Sequence, residues 1–210
     1  MSALLPFTQA EFLEIFRQYN VGIGVGQALI LMVGVVGLSF AFWENRVASR
    51  VVSGSLAVVW LWMALVYHAI YFSRINPAAP LFAAVFAVQA ALFAWAGFRG
   101  DALRFRFSPT LRGWLGSLVI IYALAVYPSL GFVFGHYYPS APTFGAPCPT
   151  VIFTLGLLLW STASWRLLVI PLIWAVIGTS GAMLLQMPQD YGLAVAALLT
   201  LVLPGRHHNA

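Results

Sequence analysis

The sequence predicts an all-α polytopic membrane helix bundle of about seven transmembrane helices with an N-terminal interfacial helix. Three observations predict it. Of 210 residues, 62% are apolar and 7% charged, with a mean hydropathy of +0.92, a balance that cannot dress a water-facing surface. Several apolar runs reach the roughly 20 residues that cross a bilayer. The connections between the runs are too short to hold a separate soluble domain.

In chain order, residues 1–20 are amphipathic. Thr8 and Glu11 stand in capping-box spacing, and Phe12, Leu13, Phe16 and Tyr19 share one helical face, so a short helix lying in the membrane interface is expected. A single transmembrane domain is expected over 21–204. Its first span opens on Gly22, Gly24 and Gly26, with Gly22 and Gly26 in the GxxxG spacing that permits close helix approach, and runs to about residue 43. Further spans are expected at 51–72, 80–98, 113–134, 149–163 and 167–187, with Pro171 bending the sixth or starting its regular part. The last run, 191–203, reaches about 20 Å, less than the roughly 30 Å of hydrocarbon, so it either spans by thinning the bilayer or is re-entrant. Residues 205–210 are expected to form a cytoplasmic tail.

All ten basic residues are arginines. With seven spans, Arg46, Arg50, Arg99, Arg104, Arg106, Arg112, Arg166 and Arg206 fall on one side and only Arg17 and Arg74 on the other. The positive-inside rule then puts the N-terminus outside and the C-terminus in the cytoplasm. The same scatter leaves no clustered basic face, so nucleic-acid binding is not expected. The absence of lysine excludes Schiff-base chemistry. One cysteine allows no internal disulfide, and no basic n-region announces a cleaved signal peptide. No GxSxG, HExxH or P-loop occurs.

Sliding the chain by 62 positions superposes Arg50 on Arg112, Gly54-Ser55-Leu56 on Gly116-Ser117-Leu118, Phe72 on Phe134, and Pro77, Ala79, Pro80 and Phe82 on Pro139, Ala141, Pro142 and Phe144, nine identities over 33 positions. This suggests a parallel repeat of helical hairpins over about 50–98 and 112–163, with a third unit at 166–203. The alternative is shared membrane-protein grammar, with arginine at the inner end and proline in the outer turn.

The chain is organised around residues 134–150, a charge-free connection holding four prolines, a histidine and the lone Cys148 ahead of an apolar run. Cys148 precedes Pro149, so its thiol is expected near a helix N-terminus, where the dipole favours thiolate; it reads equally as a small buried residue. His68 lies near the outer end of the second span, either as an ionisable group with a function or as an interfacial imidazole. His136 and Tyr138 lie in the proline-rich connection. Asp190 reads as a ligand contact, a proton acceptor or the N-cap of the last helix. Converging, His68, His136 and Cys148 would suit zinc or copper as a metal site. Gln27 and Gln89, deep in spans, need partners across helices, and Asn76 before Pro77 predicts an Asx-type turn.

The segment Pro142-Thr143-Phe144-Gly145-Ala146-Pro147-Cys148-Pro149-Thr150, then Ile152-Phe153-Thr154-Leu155-Gly156, resembles a family of small bacterial multi-pass membrane proteins of unknown function. So do Leu5-Pro6-Phe7-Thr8, Ile75-Asn76-Pro77-Ala78 and Arg112-Gly113-Trp114-Leu115-Gly116. The likeness covers almost the whole chain. It implies a bacterial inner (plasma) membrane location and lends no activity or binding residues.

The expected function is a small transporter or ligand-binding permease component with an outward-facing polar vestibule, in which His68, His136, Tyr138, Cys148 and Asp190 contact a small solute or soft metal ion. The alternatives are a membrane-embedded thiol or metal-dependent enzyme using Cys148, and an accessory subunit of a membrane complex. The aromatic content and small-residue stripes suggest the accessory subunit; the lipid bilayer is the expected partner, and an oligomer is compatible with the sequence.

Overall fold

The computed structural model describes residues 5–99 and 103–203. The expected tail, with Arg206, lies outside them. Helix α1 (Gln9–Ile23) is capped as its sequence demands: the Thr8 hydroxyl accepts from the Glu11 N–H, and the Glu11 carboxylate accepts from the Thr8 N–H at 2.8 Å. It buries Phe12, Phe16 and Tyr19. At Gly24, whose φ of 48° suits a residue without a Cβ, the chain turns by 89° into α2 (Gly26–Phe40).

Helix α3 (Arg46–Trp62) starts on the Asn45 side chain, which accepts from the Ala48 N–H at 2.7 Å. It continues through a π-helical stretch, Met63–Tyr71, and a 3-10 turn, Phe72–Arg74. Asn76 then accepts from the Ala78 N–H at 2.9 Å, the expected Asx turn, before α4 (Ala79–Phe98). Helix α5 (Leu111–Ile121) passes through a second π stretch, Tyr122–Val126, into α6 (Tyr127–Val133). Then come α7 (Pro147–Leu159), α8 (Val169–Leu184) and α9 (Gly192–Val202), with 3-10 turns at Trp165–Leu167 and Pro188–Tyr191. No strand occurs among the described residues; only isolated bridges such as Phe105 with Ser161 do.

Four stretches are long and apolar enough to cross a membrane: Arg46–Arg74, Ala79–Phe98, Leu111–Val133 and Trp165–Leu184. The bent pair of α1 and α2 makes a fifth if taken as one span. Between a quarter and a half of each long helix is buried, and the rest presents apolar side chains outward, as a lipid solvent requires. Helices α7 and α9 are shorter. All thirteen residues of α7 are buried, and Phe153 and Leu155 join Trp60, Phe86 and Phe93 in the central core.

The connections sort to two ends. At one end Arg106 pairs with Glu44, the Phe105 N–H reaches Ser49 Oγ at 3.2 Å, and the Thr162 N–H reaches the Arg104 carbonyl at 3.0 Å. There the Arg112 guanidinium donates to the Leu158 and Ser161 carbonyls, at the end of α7, and to the Leu203 carbonyl, just past α9, all at 3.0–3.1 Å. A cation is the favoured group beside a helix C-terminus.

The opposite end is aromatic. Phe7, Phe12, Phe16, Tyr19, Tyr67 and Phe72 pack there against Ala146 and Leu185. The proline-rich connection is fastened to the same end: Asn20 Nδ2 donates to the Pro139 and Ala141 carbonyls at 2.6 and 2.8 Å, and Gln27 Nε2 to the Phe144 carbonyl at 2.8 Å. Gln89 also finds its expected partner across helices, the Leu167 carbonyl at 3.1 Å.

Candidate functional site

The site is built on the buried start of α7. A helix that begins inside a protein orphans its first N–H groups. Here Pro147 and Pro149 occupy two of the first three positions and carry no N–H, so only the Cys148 amide needs a partner there. The loop ahead of the helix is held by Gly145, whose N–H donates to Thr150 Oγ1 at 2.8 Å, and by Thr143, whose hydroxyl lies 2.7 Å from Asn20 Oδ1 and 2.9 Å from Gln27 Oε1. One hydroxyl proton serves one of those oxygens at a time.

Four of the five residues singled out from the sequence divide between two cavities. A cavity of about 320 Å³ under the proline-rich connection is lined by His136, Tyr138, Thr143, Tyr127 and Gln189. His136 is buried and its Nδ1 lies 3.1 Å from Gln189 Nε2. If the amide donates there, the ring proton sits on Nε2. The Oε1 of Gln189, a wholly buried residue, has no partner. Tyr138 is exposed.

The second cavity, about 330 Å³, is walled by Phe7, Phe12, Phe72, Phe82 and the outward face of α8, and Cys148, Trp174 and Asp190 reach it. Asp190 does not cap α9, which starts without a side-chain cap. It lies in the 3-10 turn before that helix, buried, and accepts a short hydrogen bond from the Tyr127 hydroxyl. Its other neighbour is the Cys148 thiol. The group beside the buried thiol is therefore an acid rather than a cation, which sets the charge of Asp190 against the pull of the helix N-terminus on a thiolate. The two cavities meet at residues 189 and 190: Gln189 lines the first, Asp190 the second, and Tyr127 bridges them.

His68 is in neither lining. It is fully buried behind the second cavity, with the rings of Phe86, Trp174, Tyr67, Phe82 and Phe72 at centroid distances of 4.6 to 5.8 Å, and neither ring nitrogen has a partner. His68, His136 and Cys148 are thus not gathered, and among the described residues no three of His, Cys, Asp and Glu form a group able to hold a metal ion. The zinc or copper reading has no ligand set there.

Sequence reasoning passed over Tyr127, Trp174, Gln189 and Asn20. Tyr127 carried the best signal, a hydroxyl in mid-span that a membrane interior obliges to find an acceptor. The other three are placed by tertiary contacts that no local pattern announces.

The sequence model of a family of unknown function, DUF6064, matches residues 9–209. No curated protein and no solved structure matches the chain.

Proposed function

The chain belongs to the family of unknown function DUF6064, which lends it no activity, and on its own geometry we propose a small-solute permease component of a bacterial inner membrane. In this reading α2, α3, α4, the joined α5 and α6, α7, α8 and α9 pass seven times between the two ends of the molecule, and α1 lies in the interface. The arginine end faces the cytoplasm, as the positive-inside rule asks, and the proline-rich end faces out with the N-terminus. The proposed repeat gains support from the ends of its helices. Under the shift of 62, Phe98 falls on Trp160, next to the end of α7, while Ala79 falls on Ala141, six residues before α7 begins. The second copy has unwound its first turn and a half, and broken helices of this kind mark binding sites in transporters.

The observation that carries the reading is Gln189 Oε1, a buried acceptor with no protein partner at a cavity that also holds His136. An unmet buried acceptor costs about 1–3 kcal/mol, which a solute donor would recover. The cavity suits a small neutral molecule that donates to Gln189 and accepts from His136, and the Tyr127–Asp190 bond closes its floor.

The test is uptake of labelled urea, acetamide and glycerol into liposomes holding the full chain. Uptake of at least one above protein-free vesicles, lost in Gln189→Leu while the protein still folds, is expected. Equal uptake by Gln189→Leu, or none by the native chain, overturns the proposal. In a Cys148→Ala background, Tyr138→Cys should react with an impermeant maleimide added outside whole cells; reaction only after lysis overturns the orientation.

A further inference from the structure

Apart from the solute cavity, and independent of it, we infer that the cavity beside α8 binds a single-chain amphiphile with a hydroxyl head, entering sideways from the bilayer. Its walls are aromatic and aliphatic, and its mouth is bordered by Val176 and Leu184, which stay 69% and 47% exposed on a helix apolar enough to span a membrane. In a bilayer that face meets acyl chains, so the cavity opens onto lipid rather than water.

The deep end is polar and incompletely paired. Trp174 is 7% exposed, yet its Nε1–H has no hydrogen-bond partner. Its neighbour is the Cys148 sulfur, a weak acceptor that meets the indole only poorly. Indole can only donate, so the missing atom is an acceptor. Asp190 offers the reverse: one carboxylate oxygen is taken by the Tyr127 hydroxyl, and the carboxylate has acceptor capacity beyond the thiol beside it. A hydroxyl is the smallest head that accepts one hydrogen bond and donates another. A carboxylate head would set a second anion against Asp190, and a plain hydrocarbon would leave the Trp174 N–H with the weak sulfur acceptor alone.

Two glycines of α8 line the cavity. A Cβ built on Gly178 would stand 2.5 Å from Leu193 Cδ1, 3.5 Å from Trp174 Nε1 and 3.7 Å from Cys148 Sγ, so α8 packs closely there beside both polar groups. Gly181, also on this cavity, has nothing within 4 Å of its would-be Cβ. A larger side chain there obstructs the cavity without striking the protein.

The experiment uses the full chain in lipid nanodiscs, with the indole N–H resonance of Trp174 assigned through Trp174→Phe. 1-Decanol is expected to shift that resonance downfield in a saturable manner, whereas decane leaves it in place and decanoate binds at least tenfold more weakly. Gly181→Leu is expected to abolish the decanol response while the remaining indole resonances keep their positions. No saturable response to decanol, an equal response to decane, tighter binding of decanoate, or an unaltered response in Gly181→Leu would each overturn the inference.

Discussion

The Tyr127 hydroxyl donates to the Asp190 carboxylate, tying the first residue of α6 to the turn that precedes α9. Both residues are buried, and the bond stands between two cavities. Tyr127→Phe removes the donor and leaves the acid with the weaker thiol beside it. The expected loss is about 1–3 kcal/mol, because an unmet buried partner costs more than the bond itself contributes. It would be measured as a lower midpoint in denaturant titration of the detergent-solubilised protein. A midpoint equal to that of the native chain would show that the pair carries no stability.

Arg112 is expected to be the arginine whose loss destabilises the fold most at its end of the molecule. Its guanidinium meets three carbonyls at the ends of α7 and α9. Arg112→Met should cost about 3 kcal/mol, within the range for hydrogen bonds to a charged group. Arg112→Lys should recover only part, since an ammonium cannot reproduce the planar fork. Arg50, exposed at the same end, is the control, and Arg50→Met should stay within about 0.5 kcal/mol of native in the same titration.

The helical architecture was legible because hydropathy, capping and turn chemistry are local. Thr8 with Glu11, Asn76 before Pro77, and Gln89 within its apolar run each behave as their residue types require. The run after Cys148 looked like an ordinary span, yet it is a thirteen-residue helix buried on every side, a fact set by its neighbours. The candidate site was legible as a list of residues and not as a constellation. Nothing local could show that Phe86 and Trp174 wall off His68, or that Asp190 faces Tyr127 instead of capping a helix.

Gly145 gives a sharp test of how the proline-rich connection is seated. Its φ is 93°, a region L-residues avoid, and an added Cβ would lie 2.9 Å from both Tyr19 Oη and Ile30 Cγ2. Gly145→Ala therefore combines backbone strain with two close contacts and should cost about 2 kcal/mol. Because Tyr19 accepts from Trp62 Nε1 at 2.8 Å, the contact should spread into α3. The readout is limited proteolysis, with faster cleavage between residues 134 and 146 than in the native chain. An unchanged cleavage rate would mean that the connection is not held where the structure puts it.

His68 makes the opposite prediction, a gain in stability. A buried imidazole with two unpaired nitrogens surrendered its hydrogen bonds to water on folding and regained none, whereas its aromatic surroundings suit an apolar side chain as well or better. His68→Leu, of similar volume, removes both unmet groups and should raise stability by roughly 1 kcal/mol, seen as a higher unfolding midpoint by circular dichroism. Residues kept at a cost to stability are those retained for function. A stabilised His68→Leu protein that has lost uptake would mark the imidazole as functional, and a stabilised one with full uptake would mark it as packing alone. A destabilised variant would show instead that His68 has a hydrogen-bond partner in the membrane, and the two unpaired nitrogens would no longer describe it.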